Sequence, residues 1–330
     1  MKTKRSVGVG MSAAVVAVGL VVAVPLARAA DVPSGPSVDS PDRTPAEHIP
    51  EQDEFQLVPD VALGISTRVE AASRASFGDD GSRVGIGRLA GTISLRAPVA
   101  DGTIVGVEVA EDVDLYDWSG GSGTFAGAAA PDGPFGTVSL TSFRGLVVKQ
   151  IADDWAVLVI GTVEFSSEDA SDWGGSVTGG GALAVRYQWT PSLAVTLGVV
   201  GHTRLEDDPF VLPFPGIEWH ITDRLTLATA QGVSLAYDAF DARAWRFDVA
   251  LGYEDRRFRL DSDGPFPRGI GEETRVPLSV GVAYRPFGLS LRAGAVTNSK
   301  VQVFDEEGHH LGTEHPADVA LVAVALDLSL

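Results

Sequence analysis

The sequence predicts an all-β fold: an antiparallel transmembrane β-barrel of about fourteen strands, with twelve as the alternative count. Three observations predict it. Apolar side chains alternate with polar or small ones in segment after segment from Leu57 to Leu330, and a period of two puts them on opposite faces of strands. Short turns alternate with longer polar loops, the rhythm of a barrel threading a bilayer. Trp155, Trp189, Trp219, Tyr253 and Tyr284 each stand on the apolar face beside a short turn, as an aromatic girdle at one membrane surface requires.

The chain opens with Lys2, Lys4 and Arg5, then a small and apolar run from Val7 to Leu26, then Ala27-Arg28-Ala29 as an A-x-A cleavage site. Residues 1–29 therefore read as a secretory signal peptide, cleaved near Ala30. Its loss removes Lys2, Lys4, Arg5 and Arg28 and takes the formal charge from −19 to about −23. So acidic a chain is a poor binder of nucleic acid, whose phosphates want a basic face. There is no cysteine, hence no disulfide frame and no thiolate metal site. Past the leader no run of about 18 apolar residues remains, which excludes a bundle of membrane helices. Residues 30–56 hold Pro33, Pro36, Pro41, Pro45 and Pro50 among Ser, Asp and Glu, and read as a disordered periplasmic segment. Residues 57–330 are left for the barrel.

The first strand sets Val61, Leu63, Ile65 and Val69 against Ala62, Gly64, Ser66, Arg68 and Glu70. The second sets Leu89, Ile93 and Leu95 against Arg88, Thr92, Ser94 and Arg96, and the third Val105, Val107 and Val109 against Gly106, Glu108 and Ala110. A Gly-, Ala- and Pro-rich loop (119–136) precedes a fourth strand, Thr137 to Lys149, which alternates poorly. The fifth sets Trp155, Val157, Val159, Val163 and Phe165 against Ala156, Thr162, Glu164 and Ser166. Strands six to nine occupy Leu183 to Leu235: Leu183 to Trp189, Leu193 to Arg204, Ile217 to Ile221, and Leu225 to Leu235 taken as one strand. Trp245 to Tyr253 is the tenth, a short limb Arg257 to Asp261 the eleventh, and Arg275 to Arg285, Leu289 to Gly294 and Val322 to Leu330 complete fourteen. A single-chain barrel with both ends on one side has an even strand number. Parity thus favours a turn near Asp255, which makes the short limb a separate strand.

The polar faces supply candidate lumen-lining residues: Arg68, Arg96, Glu108, Glu164, Arg186, His202, Arg204, Glu218, His220, Arg246, Asp248, Arg275, Arg285 and Arg292. Two readings stand side by side. Charged rings select solutes in channels; alternatively, Arg–carboxylate networks fill the lumen. His202, Glu218 and His220 share the inner face, but His202 and His220 lie near opposite ends of their strands, beyond hydrogen-bond reach at about 3.3 Å per residue. No G-x-S-x-G or other nucleophile motif occurs, so no catalytic residues are expected. Asp305, Glu306, Glu307, His309, His310, Glu314 and His315 form an acidic, His-containing loop whose spacing matches no standard metal site and reads as solvated charge.

The segment Gly201 to Leu227, GHTRLEDDPFVLPFPGIEWHITDRLTL, resembles an uncharacterised family of outer-membrane β-barrels, grouped as a domain of unknown function. Arg204, Glu206 and Asp207 close one strand, and a Pro-containing strand, Pro213 to Trp219, ends in Trp before a short turn. Gly252-Tyr253-Glu254 to Phe258-Arg259-Leu260 and the Tyr284-Arg285-Pro286 turn are similar too. Over about Phe55 to Leu330 the resemblance implies a fold and an outer-membrane location, with no activity attached. Leu330 departs from it, since such barrels usually end in an aromatic residue. The expectation is a non-enzymatic, cofactor-free porin-like barrel. Its partners would be outer-membrane lipid, the outer-membrane assembly machinery and a small polar solute. The alternative is a closed envelope barrel whose acidic loops make surface contacts.

Overall fold

The computed structural model describes residues 61–329, apart from 78–80, 121–123, 126–127, 131, 169–172, 230–231 and 241–242. The expected leader, the Pro-rich segment and Leu330 lie outside the described residues. The strands are β1 (Ala62–Phe77), β2 (Ser82–Ala100), β3 (Thr103–Ser119), β4 (Thr124–Phe125), β5 (Ala128–Ala129), β6 (Thr137–Ala152), β7 (Trp155–Glu168), β8 (Val177–Thr190) and β9 (Leu193–Arg204). They continue as β10 (Asp207–Thr222), β11 (Leu225–Ala228), β12 (Val233–Ala239), β13 (Trp245–Leu251), β14 (Glu254–Arg259), β15 (Ile270–Tyr284), β16 (Leu289–Phe304), β17 (His310–Glu314) and β18 (Val319–Ser329). β4 and β5 form a small hairpin of their own. The others pair antiparallel with their neighbours, apart from one parallel bridge between β14 and β7, and β1 meets β18 to close the ring.

The wall has fourteen strands because two spans are interrupted rather than doubled. β13 and β14 both pair with β15, from Trp245 opposite Tyr284 to Arg259 opposite Ile270, so they form one span broken only at Gly252 and Tyr253. β17 and β18 likewise follow one another along β16. The outside carries Val69, Val107, Val159, Leu197, Val249, Leu278 and Val322, all exposed, while Glu70, Glu108, Arg186 and Arg275 are buried inside. Apolar groups outward and charge inward is the inversion that a bilayer imposes, and the chain is an antiparallel transmembrane barrel.

Two boundaries differ from expectation. Leu225 to Leu235 is two strands, β11 and β12, joined at the long-loop end. Gly232 there has φ +117°, and a Cβ would sit 2.2 Å from the Leu251 carbonyl oxygen, so this bend needs glycine. Conversely, no turn exists at Asp255; the connection at the short-turn end is 240–244 instead. The parity argument for a separate limb at Arg257 to Asp261 is therefore overturned. The count of fourteen survives because one span was split and another fused. Tyr253 also leaves the girdle: it stands within the β13–β14 span, far from any short turn. Trp245 takes that place, its ring centroid 4.8 Å from that of Tyr284. Trp155 packs on Tyr187 at 4.5 Å, and Tyr187 on Trp189 at 6.0 Å, on the same rim as Trp219.

One turn on that rim rests on a single residue. Arg285–Phe287 form a short 3-10 turn, and Gly288 follows at φ 62°, ψ 16° with its N–H donating to the Arg285 carbonyl oxygen at 3.0 Å. A Cβ there would lie 1.6 Å from the Asp327 carbonyl oxygen. Left-handed backbone alone costs an L-residue roughly 1–2 kcal/mol, and the clash adds to it. Gly288→Ala is expected to lose at least about 1 kcal/mol of refolding free energy in a urea titration.

Candidate functional site: a lumen on two levels

In the half of the barrel nearer the short turns, charged side chains lie flat along the wall. Arg292 on β16 reaches Asp248 on β13 at 3.3 Å, passing over Gly281 of the strand between them. A Cβ on Gly281 would fall 2.6 Å from Asp248 Oδ1, so the crossing needs the missing side chain. Arg186 on β8 reaches Glu218 on β10 at 3.0 Å across β9, where Ala194 faces inward. Arg144 pairs with Glu108 on adjacent strands at 2.9 Å, with Arg96 diagonal to Glu108. At the rim Arg285 meets Asp238 at 2.7 Å, and Arg246 faces Asp238 across the ladder. His220 lies 3.4 Å from Glu218 on its own strand and is half exposed.

Nearer the long loops the pairs cross the lumen. Past Gly252, β14 stays paired with β15 but parts from β12 and bridges β7 at Arg259 and Ser167, so both its faces meet protein. Through one face Glu254 accepts bonds from Arg88 Nη1 of β2 at 2.9 Å and from Arg275 Nε at 2.8 Å. Arg256 binds Asp114 at 2.9 Å and Asp112 at 2.7 Å, both on β3. Arg88 Nη2 also donates to Asp114 Oδ2 at 3.0 Å, and Arg275 Nη2 to Glu70 Oε1 at 3.2 Å. Arg68 closes the set by pairing with Glu70. Four guanidiniums thus meet Glu70, Asp112, Asp114 and Glu254, and the charges balance. The Tyr116 hydroxyl donates to Glu273 at 2.7 Å. Through the other face Asp255, Arg257 and Arg259 meet Arg204, Asp207 and Glu206 at 3.5, 2.9 and 2.6 Å. An apolar lid covers this cluster: Phe125, Phe135, Phe258, Leu260, Phe266 and Val303 are buried together, and Trp118 packs against them.

Among the fourteen lumen candidates, then, Arg68, Arg204 and Arg275 belong to the cross-lumen level. The wall level holds Arg96, Glu108, Arg186, Glu218, His220, Arg246, Asp248, Arg285 and Arg292. His202 and Glu164 pair with each other at 3.3 Å over Gly180. His202 and His220 are not brought together, as their strand positions imply. In the long-loop segment, Asp305, Glu307 and His309 gather, while His310 bonds Thr313 at 2.7 Å. The Asp305 carboxylate accepts the His309 backbone N–H at 2.8 Å, which holds it below the usual carboxylate range.

Sequence reasoning missed a second inner surface. Ile104, Val148, Leu158, Ala184, Gly198 and Phe214 are directly opposed, strand to strand, from β3 round to β10. Leu146, Ile160, Ala182, Val200 and Leu212 form a second such row beside it. Ile104, Leu146, Val148, Leu158 and Ala184 form a buried cluster with Ile160 and Phe214 against it. The lumen wall therefore carries a continuous apolar track. A signal existed in the sequence: in Val157-Leu158-Val159-Ile160 and Leu146-Val147-Val148 both faces are apolar, which marks an apolar interior as well as a lipid-facing exterior.

No protein-family model matches the chain. Curated proteins give no relative either. Solved structures do resemble it in fold. A Pseudomonas aeruginosa FadL homologue is 11% identical over 83% of this chain and 90% of its own, with a TM-score of 0.39. An outer-membrane channel from Pseudomonas putida F1 is 9% identical over 85% and 99%, with a TM-score of 0.40. The KdgM porin is 12% identical over 80% and 98%, with a TM-score of 0.29. At these identities and TM-scores the likenesses add nothing to the barrel, which stands on its own strand pairing.

Proposed function

We propose that the protein is a passive outer-membrane channel for small solutes, held shut by its own β14–β15 segment. In this reading the leader is cleaved, the N-terminal segment is periplasmic and the long loops face outward. The carrying observation is the division of the lumen. In the short-turn half the charges lie flat along the wall over Gly281 and Ala194, whereas Arg88, Arg256 and Arg275 bolt β14 across the other half. A purely structural barrel has no need to treat its two halves differently. The lumen-lining role belongs to the wall pairs, and selection is set by Arg186, Arg246 and Arg292 with their carboxylates. The chemistry is binding and passage, with no catalytic group.

The bolted segment also favours a second reading, a closed envelope barrel whose acidic loops make contacts. Planar-bilayer recordings separate the two. Arg256→Ala frees Asp112 and Asp114 from β14 and is expected to raise mean conductance at least threefold over the unaltered protein. If neither protein conducts, the channel reading fails and the closed barrel stands.

A further inference from the structure

Four connections at the long-loop end close on a cavity of about 260 Å³. Arg259 and Arg268 flank the β14–β15 connection, and Glu206 comes from the β9–β10 tip. Glu306 comes from the segment between β16 and β17, and Gly175 from the 3-10 turn before β8. Leu260 of the apolar lid lines the cavity as well, so the space lies on the loop side of that lid. None of the residues that bolt β14 across the lumen lines it.

Its walls are held by backbone contacts rather than by a ligand. Leu260 N–H donates to the Gly269 carbonyl at 2.8 Å, and Arg268 N–H to the Asp261 carbonyl at 3.1 Å. Asp261 N–H donates in turn to Glu168 Oε2 at 3.0 Å. Gly308 seats its connection against the β9–β10 tip: a Cβ there would fall 2.5 Å from the Glu206 carbonyl oxygen. Among the described residues five that are not glycine take positive φ, and Glu206 (φ 48°) and Arg268 (φ 55°) are two of them. Left-handed backbone is costly for an L-residue and persists where the surroundings impose it, ligand clamps among them.

Arg259 is the deep group, its side chain only 7% exposed. Its Nε donates to the Gly175 carbonyl at 2.9 Å, Nη1 to the Arg268 carbonyl at 3.0 Å and Nη2 to Glu206 Oε1 at 2.6 Å. Each terminal nitrogen carries two N–H groups, so one on Nη1 and one on Nη2 remain for a ligand. At the mouth Arg268 Nη1 lies 3.2 Å from Glu306 Oε1, and both side chains are more than half exposed. Two cations and two carboxylates thus balance around the space. A singly charged ligand would break that balance in a partly desolvated site. A zwitterion keeps it: a carboxylate answers the donors of Arg259 at depth, and an ammonium answers Glu206 and Glu306 at the mouth. No aromatic ring among the described residues lines the cavity, so a sugar finds no face to stack on. The volume falls below the roughly 300–1,000 Å³ of pockets for drug-sized ligands, which fits a free amino acid or a dipeptide. We infer that this cavity binds a small zwitterion of the amino-acid type at the long-loop mouth. The binding stands on the geometry; that the bound molecule is also the solute of the barrel rests on the channel reading.

Equilibrium dialysis of radiolabelled L-alanine against the full barrel, folded in detergent micelles, tests the site. Unlabelled L-alanine is expected to displace the label at concentrations at least about tenfold lower than propionate, ethylamine or glucose, each of which lacks one or both charged groups. Arg259→Gln is expected to weaken alanine binding at least about tenfold. Because Arg259 also ties β14 to the β9–β10 tip, Glu306→Gln at the exposed mouth is the independent variant, expected to weaken binding about threefold. Heat-modifiable gel mobility verifies that each variant is folded. Absence of alanine binding, or displacement by propionate or glucose as effective as by alanine, overturns the inference. Alanine binding by a barrel whose Arg256→Ala variant does not conduct would remove the channel reading and leave the site. Conductance without alanine binding would remove the site and leave the channel.

Discussion

Arg88→Met is expected to destabilise the barrel by about 3–5 kcal/mol, the cost of removing one partner from a buried ion pair. Arg88 and Asp114 side chains are only 3% and 2% exposed, and Arg88 also holds Glu254 of β14. Removing the guanidinium leaves four carboxylates facing three cations in a space roofed by Phe258 and Phe135. The Asp114 carboxylate left behind is only 2% exposed, and the desolvation penalty on it, rather than the lost attraction, is the larger part of the cost. Two features identify the cause. Added salt should not repair the loss, because mobile ions screen exposed pairs far more than buried ones. Asp114→Asn placed on Arg88→Met should recover at least half of it by restoring neutrality. The measurement is the urea midpoint of unfolding from vesicles for the two single variants and the double. A single variant within about 1 kcal/mol of the unaltered protein would mean that the cross-lumen cluster is solvated, and that β14 is not bolted in place.

Legibility in the sequence followed the membrane. Where a strand has lipid on one side and water or charge on the other, as in Leu89, Ile93 and Leu95 against Arg88, Thr92 and Ser94, alternation alone places every side chain. It failed where the interior departs from that contrast. Segment 254–257 is polar on both faces because both meet charged protein, and two polar faces imitate a turn. The result was a turn at Asp255 that does not exist. β6 appeared irregular because Leu146 and Val148 face an apolar lumen while Val147 faces lipid. The bend between Ala228 and Val233 had one glycine as its only signal. Pairing partners were beyond reach for a different reason. Arg88 and Glu254 are separated by 166 residues, and which inward Arg meets which inward carboxylate depends on the register of the closed ring. The alternation identified Arg68, Arg186, Glu218, Asp248 and Arg292 as inward, but it contains no information on whether a pair lies along the wall or across the lumen. That distinction is the one on which the channel reading depends.

Val159→Arg carries the second largest expected effect, because it tests the lipid face directly. Val159 lies between Val147 on β6 and Leu183 on β8, all three pointing outward, and it is 47% exposed to whatever surrounds the barrel. In water an exposed Val→Arg change on a strand is nearly neutral. In hydrocarbon at mid-bilayer an arginine costs roughly 2–4 kcal/mol, falling toward zero as the site approaches the interface. The same substitution therefore reads out the solvent. Lumen-side Ser94→Arg is the matched control: it adds the same charge to the same fold, but on the face that already accommodates Arg68 and Arg96. Refolding into vesicles should be impaired by about 2–4 kcal/mol for Val159→Arg and by much less for Ser94→Arg. A graded series strengthens the reading, since Trp155→Arg, nearer the rim, should cost less than Val159→Arg. Equal and small costs at all three sites would mean that the exposed apolar belt meets water or another protein, and the barrel would then have to be rebuilt as a soluble one.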